Sequence, residues 1–355
     1  MSQNKRIQFL IVVVFVGILL SITLYLGLDG LPRVISDTDP GERSDLGFNG
    51  AFHTDASIQS FVKYCDYKFF RHIESEKIII GKEDWLFETV RADNGYDYLL
   101  DYVGGCPYSE DQMAQFAHTV SLRRKACAER DAEYLLVIIP NSMTAVSDCL
   151  PAHIGKQSEN TRMTKLVAYL ESRGETSVLD LRGTMTRSVN EEVLFNNTED
   201  SINAYGAYSV YDAVMTELSK MGQSVGECRL NRSSIQFFTH HTEGKGVARK
   251  AGLERVILNR TVSLSETMAD QYRMAEITEH CASTEMSEGP RNSQRLVIEC
   301  SNEWDKIQLM PYFSNTFETV VYENSIGDGV SALDYHKGDV LIQVIHESEL
   351  DLLLK

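Results

Sequence analysis

The sequence is short of basic residues: 34 Lys and Arg stand against 51 Asp and Glu, a formal net charge of −17 with His neutral. Nucleic-acid binding depends on clustered cations, so this deficit argues against a nucleic-acid partner. The sequence also has no Cys-x-x-Cys pair, which is a common zinc signature, and no repeat with a period of about 20 to 50 residues. We therefore expect no metal site, no cofactor and no solenoid.

The longest apolar run lies near the N-terminus. Residues 7–28 contain Gln8 as their only strongly polar residue, and a helix of that length, at about 1.5 Å per residue, spans a bilayer core of about 30 Å. Lys5 and Arg6 precede the run, so the positive-inside rule predicts that the N-terminus is cytoplasmic and the main domain extracytoplasmic. A cleaved signal peptide is the alternative, but the end of the run offers a poor cleavage site.

These observations predict a domain organisation. We expect a cytoplasmic tail over residues 1–6, a transmembrane signal anchor over 7–28, a polar linker over 29–55 and one domain over 56–355. The residues after position 33 carry 31 basic and 50 acidic groups, and their number suffices for a sizeable core. In a periplasmic or cell-surface position the seven cysteines are disulfide candidates, although their pairing cannot be derived from the sequence.

Helical and strand-like patterns alternate along the main domain. Apolar stripes predict helices near residues 113–120, 163–170 and 304–313, and apolar runs predict buried strands at 134–140, 178–181, 295–298, 318–322 and 339–345. This rhythm indicates an α/β fold with a mainly parallel sheet and helices on both faces. The polar stretch at about 226–293 is predicted to be an insertion. Ligands of such sheets bind beyond the carboxyl ends of the strands, here in the loops after Pro140, Leu181 and Ile298.

Several ordered sequence blocks resemble one known family. One is Ile-Gly-Lys-Glu-Asp-Trp-Leu-Phe at 80–87, and another is Asn-Ala-Tyr-Gly-Ala-Tyr-Ser-Val-Tyr at 203–211. The others lie at residues 136–141, 149–151, 178–182, 295–301, 311–322 and 338–347. Together they are similar to the SGNH-hydrolase-like domain of the AlgX/AlgJ-like alginate O-acetyltransferases, from about residue 78 to 350.

The resemblance implies a chemistry. Family members transfer an acetyl group to a secreted polysaccharide through an acyl-serine, and an Asp-x-His loop precedes the nucleophilic Ser in the chain. Such catalysis requires that the weak hydroxyl nucleophile lose its proton to an imidazole, which a carboxylate holds in one tautomer. The resemblance also implies polysaccharide and a multi-pass membrane O-acyltransferase as partners.

This sequence departs from the family at the catalytic positions. The family's Asp-x-His falls on Glu199, Asp200 and Ser201, so a serine occupies the histidine position. The nucleophile position is Ser301, which lies between Cys300 and Asn302 instead of the family's Asp and Phe. A serine hydroxyl has no useful proton affinity near pH 7, so the inherited mechanism cannot operate unchanged.

Three interpretations follow. The first is a catalytically degenerate member, a pseudoenzyme that binds glycan or assembles with a membrane acyltransferase. The second is an active serine O-acetyltransferase or esterase with a relocated base, for which His240, His241, Glu199 and Asp200 are candidates. The third is a structural or adhesion domain that shares only the fold. The first is preferred over the second, and the second over the third.

A few other residues complete the predicted site. Asn203 and Trp304 are the candidate substrate-binding residues, the latter because an indole after the nucleophile can stack on a sugar ring. A basic group formed by Lys245, Arg249 and Lys250 is either a local anion site or an ordinary helix face. His346, inside an apolar run, is interpreted as a packed histidine.

Overall fold

The computed structural model describes residues 66–73, 75–186, 192–223, 228–265, 272–277, 281–286, 292–323 and 337–354, together with Gly17 and Lys63. The chain divides into two compact units, Met1–Phe61 and Val62–Lys355. Apart from Gly17, the predicted signal anchor and linker lie outside the described residues. None of the helices within those described ranges is long and apolar enough to cross a membrane.

Eleven strands lie in the described part of the second unit. They are β1 (Ile78–Ile80), β2 (Leu86–Glu88), β3 (Glu133–Ile139), β4 (Val178–Asp180), β5 (Phe237–Thr242), β6 (Asn259–Leu264), β7 (Tyr272–Ile277), β8 (Cys281–Met286), β9 (Asn292–Cys300), β10 (Phe317–Glu323) and β11 (Val340–His346).

Eight α-helices accompany these strands in the same ranges. They are α1 (Tyr98–Tyr102), α2 (Glu110–Ala128), α3 (Ser142–Ala145), α4 (Arg162–Ser172), α5 (Arg182–Met185), α6 (Ala204–Lys220), α7 (Gly246–Ala251) and α8 (Glu303–Ser314). A π-helical turn covers Asp66–Phe70, and 3₁₀ segments cover Ser147–Cys149, Ala152–Ile154, Arg232–Ser234 and, at the C-terminal end, Glu347–Leu354.

Seven strands form the central sheet, in the order β4-β3-β11-β9-β10-β8-β7. The five strands from β4 to β10 pair in parallel, which confirms the predicted mainly parallel sheet. Strands β8 and β7 add an antiparallel edge, so the sheet is mixed. Both of these edge strands, and the separate β5–β6 hairpin, come from the polar stretch at 226–293.

The central strands are buried on both faces. Successive side chains of a strand point to opposite sides, and in β3 Leu135, Val137 and Ile139 join one core cluster while Leu136 and Ile138 join another. The first cluster also contains the inner faces of α6 and α8, and the second contains those of α2 and α4. Continuous apolar runs therefore mark strands covered by helices on both sides.

Asparagine side chains cap the N-termini of the two helices that follow the candidate catalytic positions. Asn203 Oδ1 accepts the Gly206 N–H at 3.1 Å and caps α6. Asn302 Oδ1 accepts the Trp304 N–H at 2.9 Å and caps α8. Each cap satisfies an amide that the helix leaves unpaired at its first turn.

Four of the described cysteines do not form disulfide bonds. Cys106, Cys127, Cys149 and Cys300 are free thiols, and the last three are buried. Burial raises the pKa of the Cys127 thiol to about 11 and that of Cys149 to about 12. These three side chains therefore serve as small apolar groups of the core.

Candidate functional site

Parallel register brings polar residues together at the carboxyl end of the sheet. Strand β11 lies between β3 and β9, pairing His346 with Ile139 on one side and Val344 with Cys300 on the other. Ser301 follows β9 directly, so it lies beside the last residues of β11. This is the edge at which open α/β sheets bind their ligands.

Ser301 occupies the turn between β9 and α8. Its Oγ accepts the backbone N–H of His346 at 3.1 Å and donates to Oε2 of Glu349. Glu349 in turn forms an ion pair with Arg91, whose Nη1 also donates to Ser348 Oγ at 2.8 Å. The nucleophile position is therefore held by a carboxylate that a guanidinium already neutralises.

Cys300, which precedes this turn, is packed in the core beneath it. Its side chain is buried, and burial raises the pKa of the thiol far above the neutral range. A thiol acts as a nucleophile only as the thiolate. Ser301 is accordingly the nucleophile candidate at this turn.

The loop that precedes α6 carries the family's other catalytic positions. Ser201 is buried, and its Oγ accepts from Asn196 Nδ2 at 3.0 Å. Burial raises the pKa of Glu199, whereas Lys245 and the Ser201 hydroxyl oppose that rise. The hydroxyl at the histidine position is thus already engaged by Asn196.

Helix α7 packs closely against this loop. Gly246 at its first position has φ of +41°, and a Cβ added there would lie 2.7 Å from Cβ of Glu199. The Val247 N–H donates to Thr198 O at 2.8 Å. Glycine at 246 is therefore what allows the basic helix to approach the acidic loop.

Asp200 faces a histidine that the sequence did not single out for function. Its Oδ1 accepts the Ser142 N–H at 2.7 Å, and its Oδ2 lies 3.8 Å from Nδ1 of His346. His346 is 1% exposed, and both its Nε2 and the Asp200 Oδ2 are buried without a hydrogen-bond partner. Buried polar atoms are nearly always satisfied, so this pair is exceptional.

Two further buried carboxyls border this pair. Asp305 Oδ1 accepts the Ile202 N–H at 3.1 Å, which joins the loop to α8. Burial raises the pKa of Asp305 to about 7; His346 opposes that rise, and Asp200 adds to it. Burial likewise raises the pKa of Glu347 to about 7, although its Oε2 accepts the Asn141 N–H at 2.8 Å.

The remaining predicted residues lie in different places. His240 and His241 are exposed on β5, opposite Thr261 and Arg260 of β6, and no contact among the described residues joins either to Ser301. Asn203 is buried and donates from Nδ2 to Val193 O at 2.7 Å. Its side chain therefore stabilises the start of α6.

A cleft opens beside the loop and the turn. It has a volume of about 320 Å³ and is lined by Glu199, Asp200 and Ser201 from the loop and by Asn302 and Trp304 from α8. We call it the acidic cleft; its other charged lining residues are Glu88, Arg91, Asp93 and Lys250. The Trp304 indole is 59% exposed, and Lys245 Nζ lies 5.9 Å from its ring centroid.

The described part of the chain contains no group of three or more His, Cys, Asp or Glu side chains that could hold a metal ion. The groups at the site that can take part in a reaction are the hydroxyl, carboxyl and imidazole groups described above.

Comparison with known proteins identifies the family of this chain. The profile described as "SGNH hydrolase-like domain, acetyltransferase AlgX" matches residues 78–275. The chain belongs to this family. The match includes Glu199, Asp200 and Ser201, whereas Ser301 lies beyond it. A search of curated protein sequences returned no match.

Solved structures were also compared with this AlgX-type domain. The structure of Bacillus cereus PatB1 with a sulfonyl adduct matches with a TM-score of 0.57 and 12% identity, covering 79% of this chain and 99% of that one. The O-acetyltransferase domain of Pseudomonas putida AlgJ has a TM-score of 0.44 and 14% identity, covering 78% and 93%. The PatB1 match supports the fold alone, because a shared fold does not determine the chemistry.

Proposed function

We propose that this chain is a catalytically degenerate member of a polysaccharide O-acetylation system, and that it binds a glycan in the acidic cleft. The observation that carries the proposal is the buried Ser201 at the family's histidine position, whose Oγ accepts a hydrogen bond from Asn196 Nδ2. No proton acceptor of suitable strength occupies the place where the family reaction needs one.

The surroundings of Ser301 support the same proposal. Its hydroxyl donates to Glu349, and that carboxylate is paired with Arg91. The Glu349 carboxylate is thus bound to the Arg91 guanidinium and to the Ser301 hydroxyl at the same time. Glu349 therefore holds the Ser301 hydroxyl in place.

The cleft itself is suited to a sugar chain. Polar hydrogen-bonding groups line it, and the exposed Trp304 at its edge offers a flat apolar surface. Binding sites usually combine apolar or aromatic surface with a few convergent polar groups. The domain can thus bind a glycan in this cleft even after it has lost acyl transfer.

Hydrolysis of an aryl acetate by the purified full-length chain tests the loss of catalysis. We expect no turnover by the wild type and a gain of turnover in Ser201→His, because an imidazole then stands at the family position. An exposed serine of α6 gives the matched control: Ser219→His adds a surface imidazole and should gain nothing. The gain should disappear in Ser201→His combined with Ser301→Ala.

The second candidate function is an active serine acyltransferase or esterase. It is favoured by one observation, the buried His346 imidazole beside Asp200 next to the Ser301 turn. Wild-type turnover that is lost in both Ser301→Ala and His346→Asn would replace the first proposal with this one. Absence of both turnover and glycan binding would favour a structural or adhesion domain.

We also propose that the domain is anchored outside the cytoplasm and works with a multi-pass membrane O-acyltransferase. The apolar residues 7–28 after Lys5 and Arg6 support the anchor, and family membership supports the partner. Protease added to spheroplasts, in which the cytoplasmic membrane is intact and the periplasm is accessible, should degrade the main domain. Protection of the domain until the spheroplasts are lysed would contradict this arrangement.

A further inference from the structure

The acidic cleft carries more negative than positive charge. Its charged lining residues are Glu88, Arg91, Asp93, Glu199, Asp200 and Lys250. Four of the six are carboxylates and two are cations. The preference of the cleft for a charged or an uncharged glycan therefore depends on whether either cation is available to a ligand.

Both lining cations are already paired. Arg91 binds Asp93 through Nε at 2.7 Å and Glu349 through Nη2. Lys250 Nζ binds Glu88 Oε1 at 2.6 Å. A ligand carboxylate that enters the cleft would have to compete with these protein carboxylates for each cation.

Two further cations, Lys245 and Arg249, lie outside the lining, and both interact electrostatically with the half-buried Glu199. Lys245 Nζ lies 5.9 Å from the centroid of the Trp304 ring, at the edge of the cleft. Asp200, beside Glu199, accepts the neutral Ser142 N–H at its Oδ1, and its Oδ2 lies 3.8 Å from Nδ1 of His346. Carboxylates therefore still outnumber the cations along the lining itself, and a partly enclosed site concentrates the resulting potential.

Trp304 supplies the one large exposed aromatic surface of this lining. An aromatic face packs against the apolar C–H face of a sugar ring and gains energy from the area buried, without any need for ligand charge. The described lining thus offers a stacking surface and hydrogen-bonding groups for a sugar, whereas both of its cations are already paired with carboxylates.

We infer that the acidic cleft takes a glycan whose sugar units carry no carboxylate, rather than a polyuronate such as alginate. This inference rests on the proposed glycan-binding function. The physical reason is repulsion: each uronate carboxylate placed in the cleft would meet Glu199 and Asp200 across a short distance and a reduced dielectric constant.

Calorimetric titration of the full-length chain with oligosaccharides of equal length tests the inference. The neutral probes are the hexamers of N-acetylglucosamine and of β-1,4-glucose, and the anionic probe is the hexamer of mannuronate. At about 50 mM salt we expect at least one neutral hexamer to bind, and the mannuronate hexamer to bind at least tenfold more weakly. The difference should narrow at about 1 M salt, where the screening length falls to about 3 Å.

Variants show whether the cleft is responsible. Trp304→Ala should weaken binding of the neutral hexamer at least tenfold. Phe238→Ala, which removes an aromatic ring of similar exposure (54%) on β5 outside the cleft lining, should leave it unchanged. Glu199→Gln should strengthen binding of the mannuronate hexamer relative to that of the neutral hexamer, and circular dichroism should show that each variant is folded.

The outcomes separate the inference from the function on which it rests. A mannuronate hexamer that binds as tightly as the neutral hexamers would overturn the inference and leave glycan binding intact. Neutral binding that is insensitive to Trp304→Ala would also overturn it, because the glycan would then bind elsewhere. No binding of any hexamer would contradict the proposed function itself.

Discussion

Two buried polar clusters lie on the central strands, and they differ in how completely their atoms are paired. In the lower cluster, under α2, the Tyr134 hydroxyl donates to Gln343 Oε1 at 2.8 Å and Gln343 Nε2 donates to Glu299 Oε2 at 2.5 Å. Arg123 Nη1 lies 3.6 Å from the same Glu299 oxygen. Every buried side-chain polar atom of these four residues has a hydrogen-bond partner.

The upper cluster lies at the carboxyl end of the same strands. There Asp200 Oδ2 and His346 Nε2 are buried without partners, beside Ser301 and Asp305. A fully paired network rigidifies a core, whereas unpaired buried groups cost stability and persist mainly at functional sites. The comparison indicates that the lower cluster serves folding, whereas the upper one belongs to the candidate functional site.

The sharpest test of this contrast is removal of the arginine from the lower cluster. Arg123→Ala should lower the free energy of unfolding by about 3–5 kcal/mol, because it leaves the buried Glu299 carboxylate without its cation. Arg255→Ala is the matched control: the side chains of Arg255 and its partner Glu243 are both exposed, with 4.0 Å between Nε and Oε1, and exposed pairs contribute about 0–1 kcal/mol. Urea unfolding measures both, and equal losses would remove the distinction between the clusters.

In the upper cluster, ionisation of the buried Asp305 carboxyl should lower the free energy of unfolding. The pKa of Asp305 is 3.8 as a free side chain and about 7 when folded. Between these values the folded chain holds a proton that the unfolded chain has released, so stability should fall as the pH rises from about 4 to about 7. With about 1.4 kcal/mol per pKa unit, the loss is on the order of a few kcal/mol.

Asp305→Asn should therefore lose part of this pH dependence. The amide oxygen can still accept the Ile202 N–H, and Glu347, with its pKa also near 7, should keep the remaining dependence. Thermal unfolding at pH 5 and pH 8 compares the two proteins. The proposal for this cluster fails if the variant and the wild type lose the same stability between these pH values.

The smallest expected effect concerns the turn that carries Ser301. Asn302→Ala removes the cap of α8 and should lower the free energy of unfolding by about 1 kcal/mol, whereas Asn302→Asp should retain most of the cap. Urea unfolding resolves this difference. A loss as large as that of Arg123→Ala would mean that the turn is a main support of the fold.

Much of the sheet could be predicted because its strands are apolar on both faces. The strand predicted at 134–140 is β3, and the one predicted at 339–345 is β11, each within a residue of its observed bounds. Strands β5 to β8 were not predicted. They are rich in polar residues and form hairpins or the sheet edge, where the hydrophobic signal of a buried strand is weak.

Only the site residues that lie within the family's sequence motifs could be predicted. Ser301 and Ser201 were found by position within the family motifs. His346 was predicted to be packed, and it is. Its role at the site could not be predicted, because its neighbours are distant in sequence: Asp200 lies in a loop, and Ser301 lies in the turn after an adjacent parallel strand. One signal was present, since a polar residue at the end of a buried strand falls at the edge where ligands bind.

The position of β11 also has a consequence for how the protein folds. This strand comes from residues 340–346, yet it pairs with β3 on one side and β9 on the other. The two halves of the sheet cannot join until the last strand has been synthesised, and closing contacts so distant in sequence is slow. Newly made chains will expose the edges of β3 and β9 meanwhile, so they will depend on protection from aggregation during synthesis.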